Sequence, residues 1–132
     1  MGTFSSIEEA REHFKKDRFA SSTGMVLDEL TDEYAVCSVE LNENHHNAYG
    51  GIMGGAIFTL ADLAFAALSN NNHQPTVAQQ VSINYLSSVK GTKLIAKAYM
   101  KKNGRTTCTI NVDVTDDTGR DIAQFIGLGY KL

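Results

Sequence analysis

Residues 47–62 read NAYGGIMGGAIFTLAD, and this stretch decides the fold of the 132-residue chain. A glycine-rich loop ends at Gly55, and from there to Leu68 the only charged residue is Asp62. A helix that is apolar on all sides must be buried. A carboxylate inside such a helix loses its hydration, which raises its pKa unless a partner compensates. The stretch therefore predicts one buried helix that carries one chemically unusual group.

The start of this helix is a second feature of chemical interest. Backbone N–H groups in the first turn of a helix have no partner within it, so those of Gly54 and Gly55 suit an oxygen that bears negative charge. Asp62 lies eight residues after Gly54, which is roughly 12 Å along a helix. One carbonyl group cannot contact both groups in the same chain. A two-fold dimer with antiparallel helices would bring them together, so we expect two shared sites per homodimer.

These residues resemble the motif of the hotdog-fold acyl-CoA thioesterases, in particular the phenylacetic-acid-degradation (PaaI-like) type. That family reads Asn-x-x-Gly-x-x-His-Gly-Gly, with an acidic residue nine positions after the His. The resemblance covers roughly residues 20–132, and the motif is kept here as Asn47, Gly50, Gly54, Gly55 and Asp62. There are two departures. Met53 stands at the position of the family's His, and Ala66 replaces a Ser or Thr that often follows the acid by one helical turn.

The resemblance implies an α+β protein of the hotdog fold, in which an antiparallel β-sheet wraps around one long central helix. It also implies an enzyme that hydrolyses acyl-CoA thioesters, with an aryl or a short- to medium-chain acyl group. The protein would act as a homodimer or as a dimer of dimers. Coenzyme A would enter only as part of the substrate, and no metal or redox cofactor is implied.

The three catalytic candidates are Asp62, Asn47 and Gly54. Asp62 would act as a general base that deprotonates a water or as a nucleophile that forms an anhydride, and the residues do not choose between them. The alternative is an Asp satisfied by hydrogen bonds at a dimer interface. Asn47 would donate its amide to a carbonyl oxygen or position a water, or it would only shape its loop. The Gly54 N–H, with Gly55, would polarise the carbonyl, although these glycines also suit a turn and close packing.

Met53 leaves several alternatives open because it cannot carry charge or donate a strong hydrogen bond. It would line an apolar acyl pocket, or it would mark a non-catalytic acyl-CoA-binding or regulatory module with weakened activity. The neighbouring His45 and His46 are candidates to replace the missing imidazole. A hotdog dehydratase is a further alternative, but no acid–His pair is visible in the sequence.

Four further residues are candidates for substrate binding. Gln79 is in phase with Val81 on a predicted strand, so it would face the central helix and bind the substrate or an interface partner. Three cations at strand ends and a hairpin would hold the phosphates of coenzyme A, or they would be solvated: Lys90, Lys102 and Arg105.

The remaining elements follow from capping and alternation. Ser6 with Glu9 predicts a helix over 7–16, within a peripheral N-terminal segment of residues 1–20. Asn103-Gly104 predicts a type I′ hairpin. Alternating apolar residues and turn signals predict strands over 25–28, 34–41, 76–87, 93–101, 106–114 and 121–131. We therefore expect a single domain, residues 1–132, with an antiparallel sheet that covers the central helix on one side.

Composition narrows the class of protein. The net charge is −3 and no basic stripe dominates, which argues against a nucleic-acid partner. No apolar run is long enough for a bilayer and the N-terminus lacks the pattern of a signal peptide, so we expect a cytoplasmic protein that does not bind a membrane. Cys37 and Cys108 fall at apolar phases of strands and are interpreted as core thiols in a reducing compartment. The four histidines lack the spacing of a metal site.

Overall fold

A six-stranded antiparallel sheet wraps around one long helix in the computed structural model, which describes residues 2–132. The order of strands across the sheet is β1-β2-β4-β5-β6-β3. The elements are α1 (Ile7–Phe14), α2 (Arg18–Ser22), β1 (Val26–Leu30), β2 (Tyr34–Glu40), α3 (Gly54–Asn72), β3 (Thr76–Tyr85), β4 (Lys93–Asn103), β5 (Thr107–Asp116) and β6 (Asp121–Lys131), with a short 3₁₀ helix at Glu43–His45. This is the α+β hotdog architecture that the sequence predicts.

The core lies between α3 and the inner face of the sheet. Alternate residues of β4 and β5 are fully buried, because successive side chains of a strand point to opposite faces. The inner face of α3 packs on them through Leu60, Ala64 and Leu68, all of which are fully buried. Cys37 and Cys108 are free thiols in this core, as predicted. Burial raises the pKa of both thiols, so neither is poised to react.

The N-terminal segment contains the helix predicted after Ser6, now bounded as Ile7–Phe14, but it differs from the single peripheral helix that we expected there. It forms two helices, because the chain bends after Phe14 so that both Phe14 and Ala20 can be buried. The second helix, α2, packs on α3. The prediction of a type I′ turn at Asn103-Gly104 is also wrong, since Gly104 does not have the positive φ that this turn requires. Residues 104–106 form the turn instead, and the Gly104 N–H donates to the Thr107 carbonyl.

Two surfaces around α3 remain open in the single chain. The outer stripe of α3 is only partly covered, by α2, and consists of Gly55, Thr59, Asp62 and Ala66. The strand β3 pairs with β6 on one side only, so its other edge is free along ten residues. None of the helices within residues 2–132 combines the length and the apolarity needed to cross a membrane.

Candidate active site

The first turn of α3 presents two unoccupied N–H groups. Met53 is the N-cap residue, and its side chain makes no capping hydrogen bond. Its carbonyl accepts from Ala56 and Ile57, whereas the N–H groups of Gly54 and Gly55 have no partner within residues 2–132. A Ser, Thr or Asn at the cap would occupy a donor of this first turn. A methionine at position 53 therefore leaves the start of α3 available to an external oxygen.

Tyr85, at the end of β3, fixes the start of α3. Its hydroxyl donates to the Gly54 carbonyl at 3.0 Å. A Cβ on residue 54 would lie 3.2 Å from the Tyr85 ring, which is tighter than an ordinary contact. The glycine thus permits the close approach, and the hydrogen bond sets the direction of the free N–H groups. The sequence pattern does not indicate this role of Tyr85, because it depends on a tertiary contact.

The loop before α3 leaves the amide of Asn47 free to donate. Its Oδ1 accepts from the N–H groups of Tyr49 and Gly51, at 2.9 and 3.0 Å. Gly50 has a φ of 80°, a conformation that glycine adopts without strain. The predicted role of Asn47 in shaping its loop is therefore confirmed, and its predicted donation to a substrate stays a prediction. The oxygen shapes the loop, and the Nδ2 group is exposed without a partner in the described part of the chain.

His45 holds this loop to the N-terminal segment. The Asn42 N–H donates to its Nδ1 at 3.0 Å, so the proton lies on Nε2, which donates to the Thr23 carbonyl at 2.9 Å. The ring is 2% exposed. Both nitrogens are engaged by the backbone, so His45 cannot replace the imidazole that the related family has at the position of Met53. That alternative from the sequence is wrong for His45.

Asp62 is the one ionisable side chain on the outer stripe of α3. It is half-buried, and no hydrogen bond stabilises its charged form within residues 2–132. Burial raises the pKa of Asp62, and the negative charge of Asp17 raises it further. A carboxylate in this state is a stronger base than one in water. Asp62 and Gly54 lie on one continuous helix, so their separation of roughly 12 Å along the axis stands.

Two cavities that share Phe19, Phe58 and Thr59 form a groove along the outer stripe of α3. One end, a cavity of about 490 Å³, is lined by apolar side chains that include Met53, Phe58 and Tyr85, together with Gly55. The other end, about 510 Å³, surrounds Asp62. Both ends share Phe19 of α2, whose side chain is 72% exposed. The sequence could not indicate this wall, because a five-residue helix has no apolar period to detect.

The remaining predicted binding residues are not brought together in one chain. Gln79 lies at a bulge of β3 and is exposed. Lys90 lies in the loop between β3 and β4, whereas Lys102 and Arg105 lie at the far end of β4, roughly 30 Å away along the strand. That hairpin lies beside the end of α3, where Asn103 donates to Asn72. Two other cations line the Asp62 cavity, Lys16 and Arg18, and no pattern in the sequence indicates them.

Comparison with known proteins identifies the family. The model of the Thioesterase superfamily matches residues 49–123, more than half of the chain. The chain belongs to the thioesterase superfamily. The acyl-coenzyme A thioesterase PaaI of Escherichia coli is 24% identical to this thioesterase over 126 residues, which cover 95% of this chain and 90% of that protein. The human acyl-coenzyme A thioesterase 13 is 34% identical over 93 residues, 67% of this chain and 66% of that protein.

A solved structure supports the same assignment for this thioesterase. A hypothetical thioesterase of Streptococcus pneumoniae, determined with coenzyme A, superposes with a TM-score of 0.81 at 29% identity, covering 89% of this chain and 94% of the other. These findings confirm the predicted hotdog fold and the predicted class. The protein is a PaaI-like thioesterase, a thioester hydrolase.

Proposed function

We propose that this thioesterase hydrolyses acyl-CoA thioesters to the free acid and coenzyme A, at sites shared between two protomers. Asp62 of one protomer is the base or the nucleophile. The Gly54 N–H, with that of Gly55, and the Asn47 amide of the other protomer hold the carbonyl oxygen. The observation that carries the proposal is the carboxylate of Asp62, which is half-buried, unpaired within the described chain and raised in pKa on an otherwise apolar helix.

The chemistry needs the charged form of Asp62 in either role. As a base, Asp62 takes a proton from water while the oxygen adds to the thioester carbon, and the negative charge on the carbonyl oxygen falls on the N–H donors. The C–S bond then breaks and the thiolate of coenzyme A takes up the proton. As a nucleophile, a carboxylate oxygen of Asp62 displaces the thiolate, and water hydrolyses the resulting anhydride. Neither route uses a metal or redox cofactor.

The open surfaces of the chain support a homodimer. The free edge of β3 is ten residues long, and an unpaired edge of that length is suited to pairing with another strand. If two β3 edges pair across a two-fold axis, the two α3 helices run antiparallel. The Gly54 end of each helix then approaches Asp62 of the other. This arrangement explains how Gly54 and Asp62, which are far apart in one chain, can act on one carbonyl group. Two such dimers would form the expected dimer of dimers.

The apolar end of the groove favours an aryl or a short- to medium-chain acyl group. Its walls include Met53, Phe58, Phe19 and Tyr85, and aromatic side chains pack well on flat or short apolar groups. Gln79 of the partner's β3 edge would lie at the interface, within reach of the substrate. Lys90, Lys102 and Arg105 would bind the phosphates of coenzyme A from different protomers, as their distribution at two ends of the sheet requires. The two buried thiols favour a reducing, cytoplasmic location.

The decisive experiment measures thiol release from a panel of acetyl-, hexanoyl-, benzoyl- and phenylacetyl-CoA. We expect turnover by the native protein and a loss on the order of 10²-fold or more for Asp62→Asn, because an essential base or nucleophile is removed. Asp113→Asn is the matched control, since Asp113 is an exposed carboxylate on the outer face of β5. A folded Asp62→Asn protein that keeps more than about a tenth of the activity would show that Asp62 is not catalytic. Binding of the substrates without turnover by the native protein would favour the binding module.

A pair of substitutions tests the Gly54 donor. Position 54 is the first residue of α3, where Pro is well tolerated, and Pro removes the N–H while it adds a Cβ. Gly54→Ala is the matched control, because it adds the same crowding against Tyr85 but keeps the donor. We expect Gly54→Pro to be slower than Gly54→Ala by a factor on the order of 10²–10³. Equal rates for the two variants would remove the Gly54 N–H from the mechanism.

A further inference from the structure

Asp17 stands at the N-cap of α2 without acting as a cap. Asp is favoured at this position because its side chain usually accepts a hydrogen bond from the first turn of the helix. Here the carboxylate of Asp17 makes no such bond. It lines the cavity around Asp62 instead. The segment is held in place by the burial of Ala20 and by the bond from the Ser21 N–H to the Asp17 carbonyl.

The charges that face Asp62 come from residues 16–18, where α2 begins after α1. Lys16, Asp17 and Arg18 line the cavity, and α3 contributes no ionisable group to it besides Asp62. Neither cation forms an ion pair with Asp62 within residues 2–132. Asp17 is therefore the neighbour whose charge acts on Asp62, and it adds to the effect of burial in raising the pKa of Asp62. Burial also raises the pKa of Asp17, while His13 on α1 opposes that effect.

We propose that Asp17 is a positioning residue of the active site, whose carboxylate shares the cavity with Asp62 and sets the strength of Asp62 as a base without contacting the thioester. The inference rests on the proposed function of Asp62. A like charge close to a carboxylate favours its protonated form. Proton uptake from water by Asp62 is then more favourable than it would be for an isolated carboxylate. If Asp62 is instead the nucleophile, the same rise in basicity would make its carboxylate more nucleophilic.

The experiment compares the pH dependence of kcat/KM for native protein, Asp17→Asn and Asp17→Glu. Removal of the negative charge should lower the pKa of Asp62. The acid limb, which is the fall of kcat/KM toward low pH, should therefore move to lower pH in Asp17→Asn. Its rate on the plateau should fall through kcat, with KM unchanged, because a weaker base remains. Asp17→Glu keeps the charge and should keep the limb close to that of the native protein.

Two features of the chain supply controls. Glu12 is an exposed acid on α1 that pairs with Lys15, so Glu12→Gln removes the same charge from the same segment without altering the cavity. Its acid limb should coincide with that of the native protein. Asn and Ser are both good N-cap residues, so Asp17→Asn and Asp17→Ser should keep α2. Circular dichroism checks that each variant is folded.

A second readout does not depend on turnover. The carboxyl carbon of Asp62, followed by ¹³C NMR, should titrate at lower pH in Asp17→Asn than in native protein. A folded Asp17→Asn protein in which both this titration and the acid limb are unchanged would overturn the inference. A rise in KM with an unchanged limb would also overturn it, because Asp17 would then bind substrate. If Asp62→Asn is active, the proposed function fails, and the titration still decides whether the two carboxylates are coupled.

Discussion

At the scale of the residue, the catalytic role proposed for Asp62 and the stability of the folded protein make opposite demands on its carboxyl group. Its pKa is raised in the folded protein, so the folded state binds a proton more tightly than the unfolded chain does. Stability therefore falls as the pH rises from the pKa of the unfolded chain through that of the folded protein. An amide of the same shape does not carry this penalty.

Asp62→Asn should therefore raise the melting temperature at pH 7 while it removes activity. The gain should disappear when the pH is lowered below about 4, where the native carboxyl group is protonated in both states. Thermal unfolding of the two proteins at pH 7 and at acid pH measures the difference. A melting temperature that is lower for Asp62→Asn at pH 7 would show that the charged carboxylate is stabilised in the folded protein by a partner.

Met53 is the residue at which this thioesterase departs most clearly from its family. Its side chain is 55% exposed at the apolar end of the groove and leaves the N–H groups of α3 unoccupied. We expect Met53→His to lower kcat/KM for hexanoyl- and phenylacetyl-CoA by about 5- to 150-fold, because an unpaired imidazole is costly against an apolar group. Acetyl-CoA should be little affected. A uniform rise for all three substrates would show instead that the loop needs a hydrogen-bonding side chain at position 53.

At the scale of the element, Asp116 ties the loop after β3 to the turn after β5. Its carboxylate accepts from the N–H groups of Lys90 and Gly91, at 2.9 and 3.0 Å, and from Thr118 and Arg120. Burial alone would raise the pKa of Asp116, but these bonds outweigh that effect and hold the pKa well below its usual value. The position of Lys90, a predicted ligand of the coenzyme A phosphates, depends on this contact.

Asp116→Asn should lower the melting temperature at pH 7, because an amide NH₂ group would then face backbone donors. The stabilisation by a carboxylate of depressed pKa is present above the pKa of the unfolded chain and is lost as the pH falls through that of the folded protein. The difference between native protein and Asp116→Asn should therefore narrow below about pH 4. Asp113→Asn is the control and should change little. A difference that is the same at pH 7 and pH 3 would contradict the electrostatic account.

An element can be predicted when the pattern that determines it is local in the sequence, and not when tertiary contacts determine it. The strand over 121–131 and the helix around Asp62 could be predicted, because alternation and apolar runs are local properties of the sequence. The helix α2 could not be, since the burial of Ala20 against the core decides its place. The same limit applies to the site. The motif indicates Asp62, Asn47 and Gly54, whereas Tyr85 and Asp17 reach them only through tertiary contacts.

At the scale of the whole molecule, the proposed function requires a second protomer. Light scattering at micromolar concentration should show a dimer or a tetramer, because the edge of β3 and the outer stripe of α3 are both open in the single chain. A well-folded, active monomer would refute the shared site. The size of the particle does not by itself show that residues from two protomers act together.

Complementation between two inactive variants tests that point directly. In a mixed dimer of Asp62→Asn and Gly54→Pro, one site combines Asp62 of the second variant with Gly54 of the first and is intact, while the other site lacks both groups. Co-expression with random pairing gives mixed dimers for half of the population, so about a quarter of the native activity should return. Gly54→Pro paired with itself, and Asp62→Asn paired with itself, are the controls. If each site lay within one chain, no mixed dimer would contain an intact site, and the mixture would stay as inactive as its components.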